Sequence, residues 1–266
     1  MRTMHLHEHS AAEIQVVELI GGIVPFLLLI FVYLISVYYT NQSYKTWPLY
    51  RILCWILGLL SIAVSLIGPI ADRAHTNFNA HMYTHLLLGM LGPLFIAFAA
   101  PTTLLLRTLP TNYARLVSKF LKSTYVRTVS HPITASLLNM GGLWLLYTTD
   151  LYSAMHDSKL LYLLIHIHVF LAGYLFTISL LYIDPTAHRT SFTMRATVLV
   201  LAMAGHGILS KWIYAHPPAG IKINDAQQGG MTMYYGGDLI DLVMVIALCY
   251  QYFRNKQTMV EKSIVR

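Results

Sequence analysis

Apolar runs of about 20 residues constrain this chain more than any other feature, because an α-helix of that length crosses the roughly 30 Å hydrocarbon core of a bilayer. Seven can be read, approximately Val17 to Tyr39, Ile52 to Ile70, His81 to Ala100, Ile133 to Thr149, Lys159 to Ile183, Phe192 to Ala215 and Met231 to Phe253. Composition agrees: 56% of the residues are hydrophobic and 11% charged, about half the charge of an ordinary soluble domain. Only Arg2 precedes the first run and no small-residue cleavage site follows it, so it is expected to remain in the mature protein. The expected fold is all-α, a polytopic membrane protein built as a seven-transmembrane-helix bundle. Residues 1–16 form a His-rich outer leader, 17–254 the membrane domain and 255–266 a tail. No internal repeat, low-complexity tract or long linker divides it.

With seven spans the connecting segments fall into two alternating sets. One holds Lys45, Arg51, Arg107, Arg115, Lys119, Lys122, Arg127, Arg189, Arg195, Arg254, Lys256, Lys262 and Arg266, thirteen of the eighteen Lys and Arg. The positive-inside rule then predicts an outer N-terminus and a cytoplasmic C-terminus. The net charge of +7 is explained by this bias, and no nucleic-acid partner is expected. In the longest inner loop, Tyr113, Leu116, Val117, Phe120 and Leu121 recur at helical spacing among Arg115, Lys119 and Lys122. That pattern predicts an interfacial helix on anionic lipid, a partner surface being the alternative.

The orientation sorts the thirteen His, since only His131 and His188 fall on the cytoplasmic side. At about 1.5 Å of rise per residue, His85 lies roughly 6 Å into span three, His166 and His168 about 10 to 14 Å into span five, and His206 about 13 Å from the outer end of span six. Asp238 and Asp241 reach a similar depth in span seven. Ionisable groups in lipid need a partner, a proton or a metal, and facing one another removes most of their cost. His81 and His85 are four apart and share a helix face, as do Asp238 and Asp241, three apart. His166 and His168 are about 200° apart, so one at most faces a shared site, and His168 is preferred.

Each group also has a plain structural reading. A lone intramembrane His is commonly hydrogen-bonded to a neighbouring helix, Asp241 has Lys211 as a candidate partner, and most Met are packing residues. Cys54 and Cys249 each lie in an apolar run, which excludes a disulfide framework or Cys-rich metal site. The coincidence of depth across helices favours a metal or haem site.

Imidazole with carboxylate, and thioether in reach, suits copper best among the divalent metals; a structural zinc would be expected on closed Cys/His ligation. Copper, as Cu(I) or Cu(II), is therefore the expected cargo, with His81, His85, His166, His168, His206, Asp238 and Asp241 as candidate ligands. His5, His7 and His9 in the leader form a weak capture motif. A bis-His haem and a proton or ion pathway are the alternatives.

The segments HMYTHLLLGMLGPLFIAFAAPTTLLLR from His81, the HP pair at His131, HIHVFLAGYLF from His166, the DP pair at Asp184, GHGILSKWIY from Gly205 and MYYGGDLIDL from Met233 are similar, in order, to those of the CtaG-type family of bacterial cytochrome c oxidase assembly factors. They cover spans three to seven; spans one and two and the leader carry none of it. The resemblance implies a non-enzymatic role in maturing the copper-containing subunits of a haem-copper oxidase, with those subunits, membrane lipid and a soluble outer-side copper donor as partners, and with self-association left open. The family's His and Asp positions fall on the seven residues named above. One departure stands out: where many members carry His-x-Pro after span four's Trp-rich run, this chain has Tyr147 and Thr149.

Overall fold

The computed structural model describes residues 2–264, with side chains over 21–257. His5, His7 and His9 of the leader, and Lys262 and Arg266 of the tail, lie outside the described side chains. All regular structure among the described residues is helical. Six stretches are long and apolar enough to cross a membrane: Gly21–Ser43, Leu49–Leu66, Phe78–Thr108, Lys159–Leu180, Phe192–Ala215 and Ile223–Gln257.

The first stretch belongs to α1 (Arg2–Ser43) and the second is α2 (Leu49–Leu66). Span two stops four residues earlier than its hydropathy suggests, because Gly68 adopts φ 88° and Pro69 opens the short α3 (Pro69–Ala74). A residue without Cβ takes that backbone conformation at no steric cost. The next helix, α4 (Phe78–Leu86), starts where the Asn77 side chain accepts a hydrogen bond from the Ala80 N–H at 2.8 Å, satisfying an otherwise free donor of its first turn.

Span three is not one regular helix. After α4 comes a π turn, Leu87–Leu91, in which the Gly92 N–H reaches back five residues to the Leu87 carbonyl. Pro93 follows in α5 (Gly92–Ala99). Proline has no N–H to give to the carbonyl four residues earlier, that of Gly89. The freed carbonyl faces Gly173 across a helix contact so close that any side chain at Gly173 would collide with it. Small residues permit such approach between helices in lipid, where close packing replaces the hydrophobic effect as the attraction.

Ala100, at φ 53° and ψ 54°, turns the chain into α6 (Pro101–Thr108). The amphipathic segment follows as α7 (Thr111–Leu121), which has no buried residue and exposes Tyr113, Leu116 and Phe120. A short α8 (Thr124–Val129) leads to α9 (Pro132–Thr148). Expected as span four, α9 is helical and apolar, but its 17 residues cover only about 26 Å. Among the described residues six helical stretches thus have the length and hydropathy to cross a membrane, and α9 is a shorter apolar helix beside them. Then come α10 (Leu151–Asp157), α11 (Lys159–Leu180), α12 (Phe192–Ala215) and α13 (Ile223–Ile264). The last begins eight residues before its expected start.

α12 lies along α13, α13 along α4, and α9 along α11 and α12, so four spans and α9 enclose a common interior. α1 sits at the periphery, fixed at one end by the Tyr33 hydroxyl, which donates to the Ala99 carbonyl at 2.8 Å and accepts from the Trp47 indole at 3.1 Å. At the same end Asp184 accepts from the Thr102 N–H, the Thr103 N–H and the Thr103 hydroxyl at 3.1, 2.8 and 2.6 Å. A carboxylate there caps the first turn of α6 and complements its dipole. This gives the DP pair a structural role.

Two buried clusters fill the interior. One contains Phe78, Met82, Tyr147, Tyr152, Leu209, Ile213 and Met233; the other contains Leu86, Phe176, Leu199, Ala202, Ile240 and Met244. Along α4, α12 and α13 the residues between the two clusters are His85, His206 and Gly237. The polar level of the protein lies there.

Candidate functional site

His81 and His85 occupy one face of α4, as their spacing requires, and both are buried at 5% exposure. His166 of α11, His206 of α12 and Asp241 of α13 are equally enclosed, at 8%, 2% and 4%. Five ionisable side chains from four helices are thus withdrawn from the surface at neighbouring depths. In lipid each must find a partner or carry a cost of several kcal/mol.

Some have partners. His81 Nε2 hydrogen-bonds the Tyr147 hydroxyl at 3.1 Å, and its ring meets Tyr152 edge-on at 5.0 Å. Burial pushes the Tyr152 phenol up, so it faces His81 uncharged. His166 Nδ1 donates to the Tyr162 carbonyl at 2.8 Å, and its ring stacks on Tyr162 at 3.9 Å. With Nδ1 carrying the proton, Nε2 is the basic nitrogen, the tautomer a metal ligand needs.

Two nitrogens have none. His85 Nε2 and His206 Nε2 are both buried without a hydrogen-bond partner. Their rings lie 6.3 Å apart between centroids, with planes inclined by 24°, and Tyr147 stands 6.2 Å from His85. A buried polar group left unpaired costs about 1 to 3 kcal/mol, so two with their rings this close mark a position kept for something other than packing. The backbone makes room for them: a side chain at Gly237 would run into the His206 ring.

Two small cavities border this level. The first is lined by His81, Thr84, His85, Tyr147 and His166 together with apolar neighbours. The second, towards Asp184, has Met90, Asn139, Met140, His206, Asp241 and Met244 on its walls. His85 and His206 stand between the two. Outside the first, His75 stacks on Tyr162 at 5.0 Å and the His156 ring lies tilted against Tyr152 at 4.8 Å.

Of the seven residues expected to converge, His81, His85, His166, His206 and Asp241 are buried at neighbouring depths and the other two are exposed. His168 is exposed and donates from Nε2 to the Leu138 carbonyl at 3.2 Å, packed so closely that a side chain at Gly142 would strike its ring. It ties α11 to α9. The 200° separation of His166 and His168 was decisive, and the preference for His168 is corrected in favour of His166. Asp238 is exposed while Asp241, three residues on, is buried. The proposed Asp241–Lys211 pair is likewise replaced, the Lys211 ammonium lying over the Tyr234 ring at 5.1 Å.

Among the described residues, no three His, Cys, Asp or Glu side chains come together as a group that could hold a metal ion. The donors available are paired imidazoles, with a carboxylate and thioethers in the second cavity. That set fits a soft or borderline metal of low coordination number better than a hard cation that demands six oxygens. Sequence reasoning missed Tyr147, Tyr152 and Tyr162, which separate and orient the imidazoles. Their signal was positional: Tyr147 lies in the last turn of α9, Tyr152 in α10 and Tyr162 in the first turn of α11, all at the end of the bundle that holds His81. The Tyr147 hydroxyl engages His81 directly.

The model of the cytochrome c oxidase caa3 assembly factor family (Caa3_CtaG) matches residues 31–255. An uncharacterized protein of Mycobacterium leprae is 23% identical over 236 residues, covering 81% of this chain and 36% of its own length. Uncharacterized proteins of Mycobacterium bovis and Mycobacterium tuberculosis are each 27% identical over 240 residues, covering 82% of this chain and 36% of theirs. The chain thus spans about a third of the length of these curated relatives. No solved structure matches it.

Proposed function

The chain belongs to the cytochrome c oxidase caa3 assembly factor family, and we propose from that membership that it holds copper within the membrane and passes it to a haem-copper oxidase subunit. The observation that carries the copper reading is the pair of buried, unpartnered nitrogens His85 Nε2 and His206 Nε2, on rings 6.3 Å apart. Copper accepts imidazole and tolerates few ligands. Haem is the poorer occupant, because the cavities are small and the His206 ring lies directly against Gly237.

In this reading His75 and His156 stand at the approach, and His81 and His166 line the first cavity. His85 and His206 retain the ion, and Asp241 balances its charge. Tyr147 and the Tyr162 carbonyl orient the imidazoles of His81 and His166. The protein has seven crossings, α9 completing the set as its shortest member, with the N-terminus outside and the basic end in the cytoplasm. It acts by binding and transfer rather than by catalysis.

The test is the copper content of purified protein, together with oxidase activity in the host membrane, for His85→Ala and His206→Ala. Both measures are expected to fall while the protein remains folded; unchanged copper in both variants refutes the site. The second reading is a metal-free assembly scaffold, favoured by the absence of a three-ligand His/Cys/Asp/Glu group among the described residues. Its signature is a metal-free protein that still co-purifies with oxidase subunits.

A further inference from the structure

We propose that the second cavity is a soft-ligand copper(I) site, in which Met90, Met140 and Met244 supply thioethers beside the imidazole of His206. It rests on the copper reading above and deepens it by naming the oxidation state and the ligand chemistry.

The cavity is assembled from four separate elements. Met90 comes from the π turn, Met140 and Asn139 from α9, His206 from α12, and Asp241 and Met244 from α13. Methionine in a bundle interior is ordinarily filler, flexible enough to close irregular gaps. Here Met244 belongs to the core cluster and Met90 and Met140 pack against it, yet all three also border a small cavity that is walled by a buried imidazole whose Nε2 has no partner. Filling accounts for the apolar contacts of the three methionines, but not for the orphan nitrogen beside them.

Ligand softness then selects the ion. Thioether is an uncharged, polarizable donor that favours Cu(I) and offers little to zinc or to Cu(II), both of which are better served by imidazole and oxygen. Charge points the same way. A neutral set of one imidazole and three thioethers leaves a monovalent ion at +1, which the single buried carboxylate of Asp241 can balance. A divalent ion would keep an uncompensated charge in a medium of low dielectric constant.

The position suits a relay. His85 faces the first cavity and His206 the second, their rings 6.3 Å apart, so an ion held between imidazoles at the first level has thioethers waiting at the next. No electron is exchanged: Cu(I) enters and leaves as Cu(I), trading one set of neutral donors for another.

The experiment uses the full chain in detergent, loaded anaerobically with Cu(I), and with Ag(I) as a redox-silent probe. X-ray absorption at the copper edge is expected to show sulfur as well as nitrogen neighbours. In the combined variant Met140→Leu and Met244→Leu the sulfur contribution should fall to that of Met90 alone, and retention of Cu(I) against a chromophoric competitor should weaken by about tenfold or more. Leucine preserves volume, so circular dichroism should report an unchanged helix content; Met90→Leu alone provides a milder version if the double variant misfolds. Copper bound with nitrogen and oxygen neighbours only, retained equally by the Met variants, overturns this site while leaving the copper reading intact. Failure of the unaltered protein to retain either ion overturns both.

Discussion

His81 of α4 and Tyr147 of α9 meet through a 3.1 Å hydrogen bond in the interior of the bundle. This contact joins two helices 66 residues apart in sequence and leaves His81 with one nitrogen already engaged. His85, one turn further along the same face, has a buried Nε2 with no such partner. The two histidines of one motif are therefore chemically unequal, His81 an anchored wall residue and His85 a free donor.

Tyr147→Phe keeps the ring and its packing but removes the hydroxyl. It is expected to cost about 1 kcal/mol, the usual value for a hydrogen bond between membrane helices or slightly more. Unfolding in detergent measures it, with His81→Phe and the double variant completing a cycle. A coupling indistinguishable from zero would mean that the contact does not stabilise the fold.

Replacing His166 and His168 separately should divide binding from packing. His166→Ala is predicted to reduce copper per folded protein with a modest effect on stability. His168→Ala removes the tie to the Leu138 carbonyl and should lower the thermal midpoint by a few degrees with copper unchanged. The opposite pattern would restore His168 to the site.

Gly237→Val drives methyl groups into the His206 ring and is expected to abolish folding or expel the imidazole, with loss of bound metal in either case. Gly205→Ala, one residue before His206 and with open space around its Cα, is the control. It should be neutral, or stabilising by up to about 1 kcal/mol through helix propensity. Equal damage by both substitutions would show that helix α12 simply tolerates no change there.

A reporter joined after Arg266 should be active only if that form works in the cytoplasm, while one placed in the α9–α10 connection near Asp150 should report the opposite side. Activity of the periplasmic type at the C-terminus would reverse the topology and the direction of copper entry.

How much of this could be read from the chain depends on which physical signal each feature leaves. Apolar runs mark six spans well, because the bilayer imposes a length. They mark ends poorly, because Gly68, Asn77 and the long polar start of α13 set those by local backbone chemistry that hydropathy averages away. α9 carries the composition of a span in only 17 residues. Periodicity correctly placed His81 and His85 on one face. It also made His166 and His168 mutually exclusive, but choosing between them requires knowing where α9 packs, which is tertiary information. The same limit applied to Asp238 and Asp241: three residues apart, they lie near enough on the helix to look like a pair, yet one is exposed and the other buried. The tyrosines were overlooked because an interfacial Tyr has an ordinary explanation in any membrane protein.

The widened turn at Leu87–Leu91 inserts one extra residue into a helix, and one residue in an α-helix corresponds to a rotation of about 100°. Everything from Gly92 onwards is therefore swung round relative to the stretch carrying His81 and His85. An unbroken helix would have to offer a single stripe both to the imidazole level and to the α2 surface on which Ile96 rests against Gly58. With the phase reset between them, the half that carries His81 and His85 can shift without disturbing the docking of the half that begins at Gly92. A single-residue deletion within this turn would put the two halves back in step and, in doing so, misalign one of them.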